Sequence, residues 1–214
     1  MTITPAQERY RTAYHEAGHV VAAYMSGMAI TAVEMMTPDG ELVDADAGWT
    51  GMTSSRLTPT GGADDVVKLA VLSLAGEATV RIAHASGMFP DAAIGAKAGE
   101  PDPDLFVDQI LAAPAGSTLE ETAVYLGMFE RPDTPDEVAA QEAVANFCAN
   151  DNEAAAMLSW LRARTAAVVM EPRFLFVAQR LAAALLELGS MTGEHVTHLL
   201  ERWNQTYRVE EEVA

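Results

Sequence analysis

The sequence predicts a mainly α-helical fold with a small β element. Two observations carry this. Several long stretches are rich in Ala, Leu, Glu and Arg, which favour helix, and place apolar residues three and four apart. Only two short stretches, 30–36 and 48–55, look extended. Half of the 214 residues are hydrophobic, which is enough for one sizeable core, so a single domain over 1–214 is expected.

The first helix is expected over 6–28. The Thr4-Pro5 pair can open it and Gly27 can stop it, while Tyr14, Gly18, Val21 and Met25 line one stripe. "ITAVEMM" (30–36) is partly alternating, with Ile30 and Ala32 pointing inward and Val33 a further inward candidate. After an acidic loop, "GWTGMTSS" (48–55) carries Thr, Trp and Met between glycines, as an edge strand would. The loop 58–65 ends in helix-starting aspartates. A helix then spans 66–85, with Leu69, Leu72, Leu74, Val80 and Ile82 as core candidates. Within it, "LAGEA" sets Ala75, Gly76 and Ala78 where another helix can approach closely. Close packing is the natural reason for a mid-helix glycine that costs about 1 kcal/mol against alanine.

A Gly/Pro/Ala-rich loop fills 86–103. "DPDLFVDQILAA" (102–113) restarts a helix, with Asp102 as N-cap and Pro103 in its first turn. Residues 114–151 form a divergent acidic segment, with short helices near 118–129 and 135–148. Three further helices are expected over 152–170, 172–189 and 192–207, followed by a frayed tail.

Composition narrows the function. The formal net charge of −18 argues against nucleic acid and against anionic lipid surfaces, since both repel an acidic protein. Cys148 is the only cysteine, so no intramolecular disulfide forms, and a reducing cytoplasmic setting is expected. The N-terminal residues lack the apolar stretch of a secretion signal, and the longest near-apolar run, 20–33, is short for a membrane span. There is no phosphate-binding Gly-Lys-Ser/Thr loop, and hence no visible means of hydrolysing ATP.

The chemistry concentrates in "YHEAGHVVAAYMSG" (14–27). Residues four apart on a helix share a face, so His15 and His19 can aim their rings at one ion. Two imidazoles and one further ligand suit a catalytic zinc, which keeps a position open for water. Glu16, one step round the helix from His15, can reach that water as a general base without binding the metal. Zinc would acidify the water and polarise a carbonyl. Two histidines at this spacing are ordinarily surface or satisfied core residues. The adjoining glutamate, with small Ala17 and Gly18 between the histidines, shifts the reading to a metal site.

These residues resemble the HEAGH helix of the FtsH-type zinc metallopeptidases. "AVEMMTPDG" and "GWTGMTSS" are similar to that family's two strands after the zinc helix. "LAVLSLAGEATVRI" is similar to its Gly/Ala-rich helix, and 164–200 to its C-terminal helices. The resemblance covers most of 8–202 and is poor between about 86 and 150. It implies the family's peptidase fold and a zinc-dependent metalloendopeptidase in which Glu16 is the base for a metal-activated water. It also implies Zn2+ held by His15, His19 and an aspartate. The family's aspartate segment has its counterpart in "GEPDPDL" (99–105), where Asp104 matches best and Asp102 is the rival because of the extra spacing and two prolines. Glu77 stays open as a ligand. His195 and His198, three apart on a late helix with no matching acid, are set aside as ligands.

The family's membrane helices and ATPase module have no counterpart here. A polypeptide substrate is therefore expected to be cleaved without ATP, in flexible segments. A separate ATPase or adaptor and a homo-oligomer remain open as partners; nucleic acid and membrane do not. The competing expectation is a non-catalytic protein-interaction or regulatory module that keeps the fold around a structural metal. A third is a zinc hydrolase acting on something other than a peptide bond.

Overall fold

The computed structural model describes residues 5–36, 50–58, 60, 62–88 and 135–213. Within them the chain runs α1 (Pro5–Met25), β1 (Ala29–Met36), β2 (Thr50–Arg56), α2 (Ala63–Ala85), α3 (Pro135–Ala145), α4 (Asp151–Val169), α5 (Pro172–Leu188), β3 (Ser190–Thr192) and α6 (Gly193–Val213). A mainly helical protein with a small sheet is therefore what the sequence forms. Among the described residues no helix is long and apolar enough to cross a membrane.

Local chemistry explains most boundaries. Gly27 adopts φ +71° just beyond α1, the left-handed turn that ends a helix, and the Met28 amide returns to the Ala23 carbonyl. The Asn150 side chain caps α4 by accepting from the Glu153 amide at 3.0 Å, while the Glu153 carboxylate accepts from the Ala149 amide at 2.8 Å. Pro172 occupies the first turn of α5, where its missing N–H costs nothing.

The sheet is antiparallel in the order β2-β1-β3, so β1 is central and β2 lies at an edge among the described residues. Its register pairs Val33 with Thr53 and Met35 with Gly51 on one side of β1, and Val33 with Met191 on the other. Val33 and Met35 are fully buried. The two-residue side-chain period therefore turns Gly51 and Thr53 to the face that packs on α1, and Met52 away, where it is exposed.

Two apolar clusters hold these elements. The larger joins α1, β1, α2, α5, β3 and α6 through residues such as Val20, Met35, Phe174, Leu181 and Leu200. The smaller joins α2, α3 and α4 through Ala70, Leu74, Ala140, Val144 and Leu161. Helix α2 belongs to both and ties α3 and α4 to the rest.

Several expectations need correction. Leu69 is exposed rather than core, because Ala70, Val71 and Leu74 take the buried face of α2. Met25, at the end of the α1 stripe, is also exposed. The three residues before α6 form strand β3, which three-residue pairing to Ala32–Glu34 stabilises and no local pattern announces. The tail is not frayed, since α6 continues to Val213. The helices expected over 102–113 and 118–129 lie outside the described residues.

Candidate metal centre

Helix α1 presents His15 and His19 one turn apart, as their spacing requires, with their rings 4.6 Å apart edge to face. Both turn toward α2. His19 Nδ1–H donates to the Leu72 carbonyl at 2.7 Å. In the neutral ring that bond fixes the tautomer and leaves the lone pair on Nε2. His15 Nε2 lies 3.0 Å from it.

The helices can come this close only where side chains are absent. A Cβ on Gly18 would stand 2.6 Å from the Ala75 carbonyl and 2.4 Å from Thr79 Oγ1. A Cβ on Gly76 would stand 2.5 Å from His19 Nε2 and 2.8 Å from His15 Nε2. Such distances are closer than side-chain carbons tolerate. Gly18 lets the backbones meet, and Gly76 opens the hollow into which both imidazoles project.

The third group comes from Asp136, in the first turn of α3. Its Oδ2 lies 2.8 Å from His15 Nε2 and 3.3 Å from His19 Nε2. Among the described residues, His15, His19 and Asp136 form a group able to hold a metal ion. The donor set tests this further. Tetrahedral ligands about 2.0–2.1 Å from one ion lie roughly 3.3 Å from each other. The three separations, 2.8, 3.0 and 3.3 Å, approach that triangle. Without a cation, two imidazole nitrogens and a carboxylate meeting at one point need a shared proton. A metal ion satisfies all three lone pairs at once.

The electrostatics agree. Burial pushes the Asp136 carboxyl upward, yet hydrogen bonds from His15 and His19 and their charge outweigh it and hold the group well below the usual carboxylate range. Burial of the His19 ring opposes its charge, but the hydrogen bond and charge of Asp136, then the charge of Glu16 and the Leu72 carbonyl, raise its pKa. This small pocket of negative potential favours a cation.

Glu16 is buried, with 4% of its surface exposed, and turns toward β2 rather than joining the three ligand atoms. Thr53 Oγ1–H donates to Glu16 Oε2 at 2.7 Å. Gly51 lies so close that a Cβ there would be 2.3 Å from Oε1. The Glu16 carboxylate thus stands outside the three-residue cluster, turned to β2.

The structure thus unites His15, His19 and Glu16. Asp104 and Asp102, the sequence candidates for the third ligand, lie outside the described residues. The sequence does not single out Asp136, because an acid at the start of a helix is usually explained by the helix dipole. Its one available signal was the Pro-Asp-Glu start of α3, and nothing local reveals that this start lies over a histidine 121 positions earlier. Glu77 is engaged by Arg11 and Arg81, each at 3.1 Å, rather than by the cluster. His195 and His198 are exposed on α6. His198 lines a separate groove of about 650 Å3 between α6, the end of α1 and the start of β1. No family model matches this chain, and no curated protein matches it either.

Proposed function

We propose that this protein is a zinc-dependent metalloendopeptidase, with His15, His19 and Asp136 holding the ion and Glu16 as general base. The observation that carries the reading is the convergence of three ligand atoms from α1 and α3 beside a buried carboxylate that is not one of them. When bound there, zinc supplies Lewis acidity for a substrate carbonyl and acidifies water.

The chain's own residues account for the rest. Leu72 orients the His19 ring through Nδ1, so that Nε2 is the ligand atom. Asp136 balances two imidazoles with one negative charge. Glu16 accepts a proton at its carboxylate and returns it to the leaving amine. Thr53 holds that carboxylate through Oε2. Strand β2, an edge among the described residues with residues 51 and 53 abutting Glu16, supports an extended polypeptide as the substrate, added along the strand by backbone hydrogen bonds. Such a substrate must already be extended, which favours flexible segments over folded proteins.

The test combines metal analysis with digestion of casein or an unstructured peptide library. Glu16→Gln should keep its zinc and lose roughly 10²–10⁴-fold in turnover. His15→Ala and Asp136→Asn should lose both metal and activity. Full zinc loading with no cleavage of any peptide would instead favour a non-catalytic module built around a structural metal. Retention of zinc by Asp136→Asn would return the third-ligand role to another acid, such as Asp104.

A further inference from the structure

The carboxylate of Glu16 is held by a strand, not by its own helix. Thr53 Oγ1 lies 2.7 Å from Glu16 Oε2 and 3.4 Å from the Glu16 carbonyl oxygen, so one hydroxyl spans both the side chain and the backbone of this residue. Gly51, two residues before on the same face of β2, leaves room for the carboxylate; any side chain there would collide with Oε1 and the carbon bearing it. Opposite them, fully buried Met35 and Val33 fix the register of β2, so the hydroxyl cannot move along the strand without breaking the pairing. A hydrogen bond to one oxygen restrains rotation of this buried carboxylate about its last side-chain bond.

We infer that Thr53 is a positioning residue that holds the Glu16 carboxylate in one orientation through Oε2. This rests on the peptidase reading for its catalytic consequence, though not for the hydrogen bond itself. Thr53→Val removes the hydroxyl and preserves the shape, whereas Thr53→Ser keeps the hydroxyl.

The experiment has two arms. In the zinc-loaded full chain acting on an unstructured peptide, Thr53→Val should lower kcat roughly 10–100-fold, as small misplacements of a reacting group do. KM should change less than about twofold, zinc content should stay at one ion, and Thr53→Ser should restore most of kcat, since the substrate and metal contacts are untouched. An unchanged kcat in Thr53→Val, or a Thr53→Ser variant as slow as Thr53→Val, would overturn the proposal.

The second arm needs no activity. Urea unfolding of Thr53→Val, Glu16→Ala and the double variant should be non-additive by roughly tenfold or more in the unfolding constant, as expected for a hydrogen bond to a charged group. Additive effects would overturn the proposal even in an active enzyme. Non-additivity in a zinc-loaded protein that cleaves nothing would uphold the link between Thr53 and Glu16 while refuting the peptidase reading.

Discussion

A methyl group at position 76 would collide with the nitrogens of both histidines, at 2.5 and 2.8 Å. On an exposed helix the change from glycine to alanine stabilises by about 1 kcal/mol. Here the sign should reverse for metal binding. Gly76→Ala should weaken zinc affinity by at least roughly tenfold, since the loss of one outer contact to a ligand already costs 10–100-fold. A calorimetric zinc titration of the variant checks this, and an unchanged affinity would mean that the imidazoles point elsewhere. The same reasoning explains the order of residues within HEAGH. Gly18 is on the α2 side because the Ala75 carbonyl occupies the space a side chain would need. The pair of histidines therefore depends on two glycines, one in each helix.

Helix α3 is short, yet it delivers the only carboxylate to the three-residue cluster. Its own sequence cannot hold it there, because an isolated helix of 11 residues is marginal in water. Packing does so. Ala140 and Val144 bury against Ala70 and Leu74 of α2 and Leu161 of α4, and Arg162 on α4 pairs with Glu137, beside Asp136, at 3.4 Å. Leu161 is fully buried, so Leu161→Ala should cost roughly 2–5 kcal/mol in urea unfolding. Because the cavity opens under α3, the variant should also bind zinc more weakly than the wild type, although residue 161 is not itself a member of the cluster. A loss of stability with unchanged zinc affinity would show that the start of α3 is anchored independently of its apolar face. Edge strand β2 holds Glu16 in a comparable way, through β1 and its buried residues.

For the molecule as a whole, the His15–His19–Asp136 cluster contributes to how stability depends on pH. The Asp136 carboxyl has a folded pKa lowered by its histidine partners, so its contribution is fully present above the ordinary value of about 3.9 and is lost as pH falls through the folded value. His19 has a raised folded pKa, so its contribution is fully present below about 6.5 and is lost as pH rises through the folded value. In the metal-free protein the cluster's contribution should therefore be greatest between about pH 4 and 6.5. Increasing self-repulsion in a chain already at −18 works in the same direction on the alkaline side. With zinc bound, both histidines must be unprotonated, and affinity should rise with pH instead. Urea midpoints measured across pH with and without zinc check both trends. Asp136→Asn should flatten the alkaline decline of the metal-free form, and a decline that persists unchanged would assign it to other groups.

The shared face of His15 and His19, the glutamate between them and the mainly helical architecture were legible along the chain because each is a local matter. A period of 3.6 residues puts His15 and His19 on one face whatever the rest of the protein does, and apolar spacing marks the long helices. The partner of those histidines was not legible. Asp102, Asp104 and Asp136 all stand at plausible helix starts, and no propensity distinguishes an acid that faces solvent from one that faces two imidazoles. The same holds for Thr53, an ordinary strand residue in sequence, and for β3, too short to carry a pattern. Contacts between residues 37 or 121 positions apart depend on how buried faces of helices and strands fit together, and that fit is a property of the packed core rather than of any segment within it.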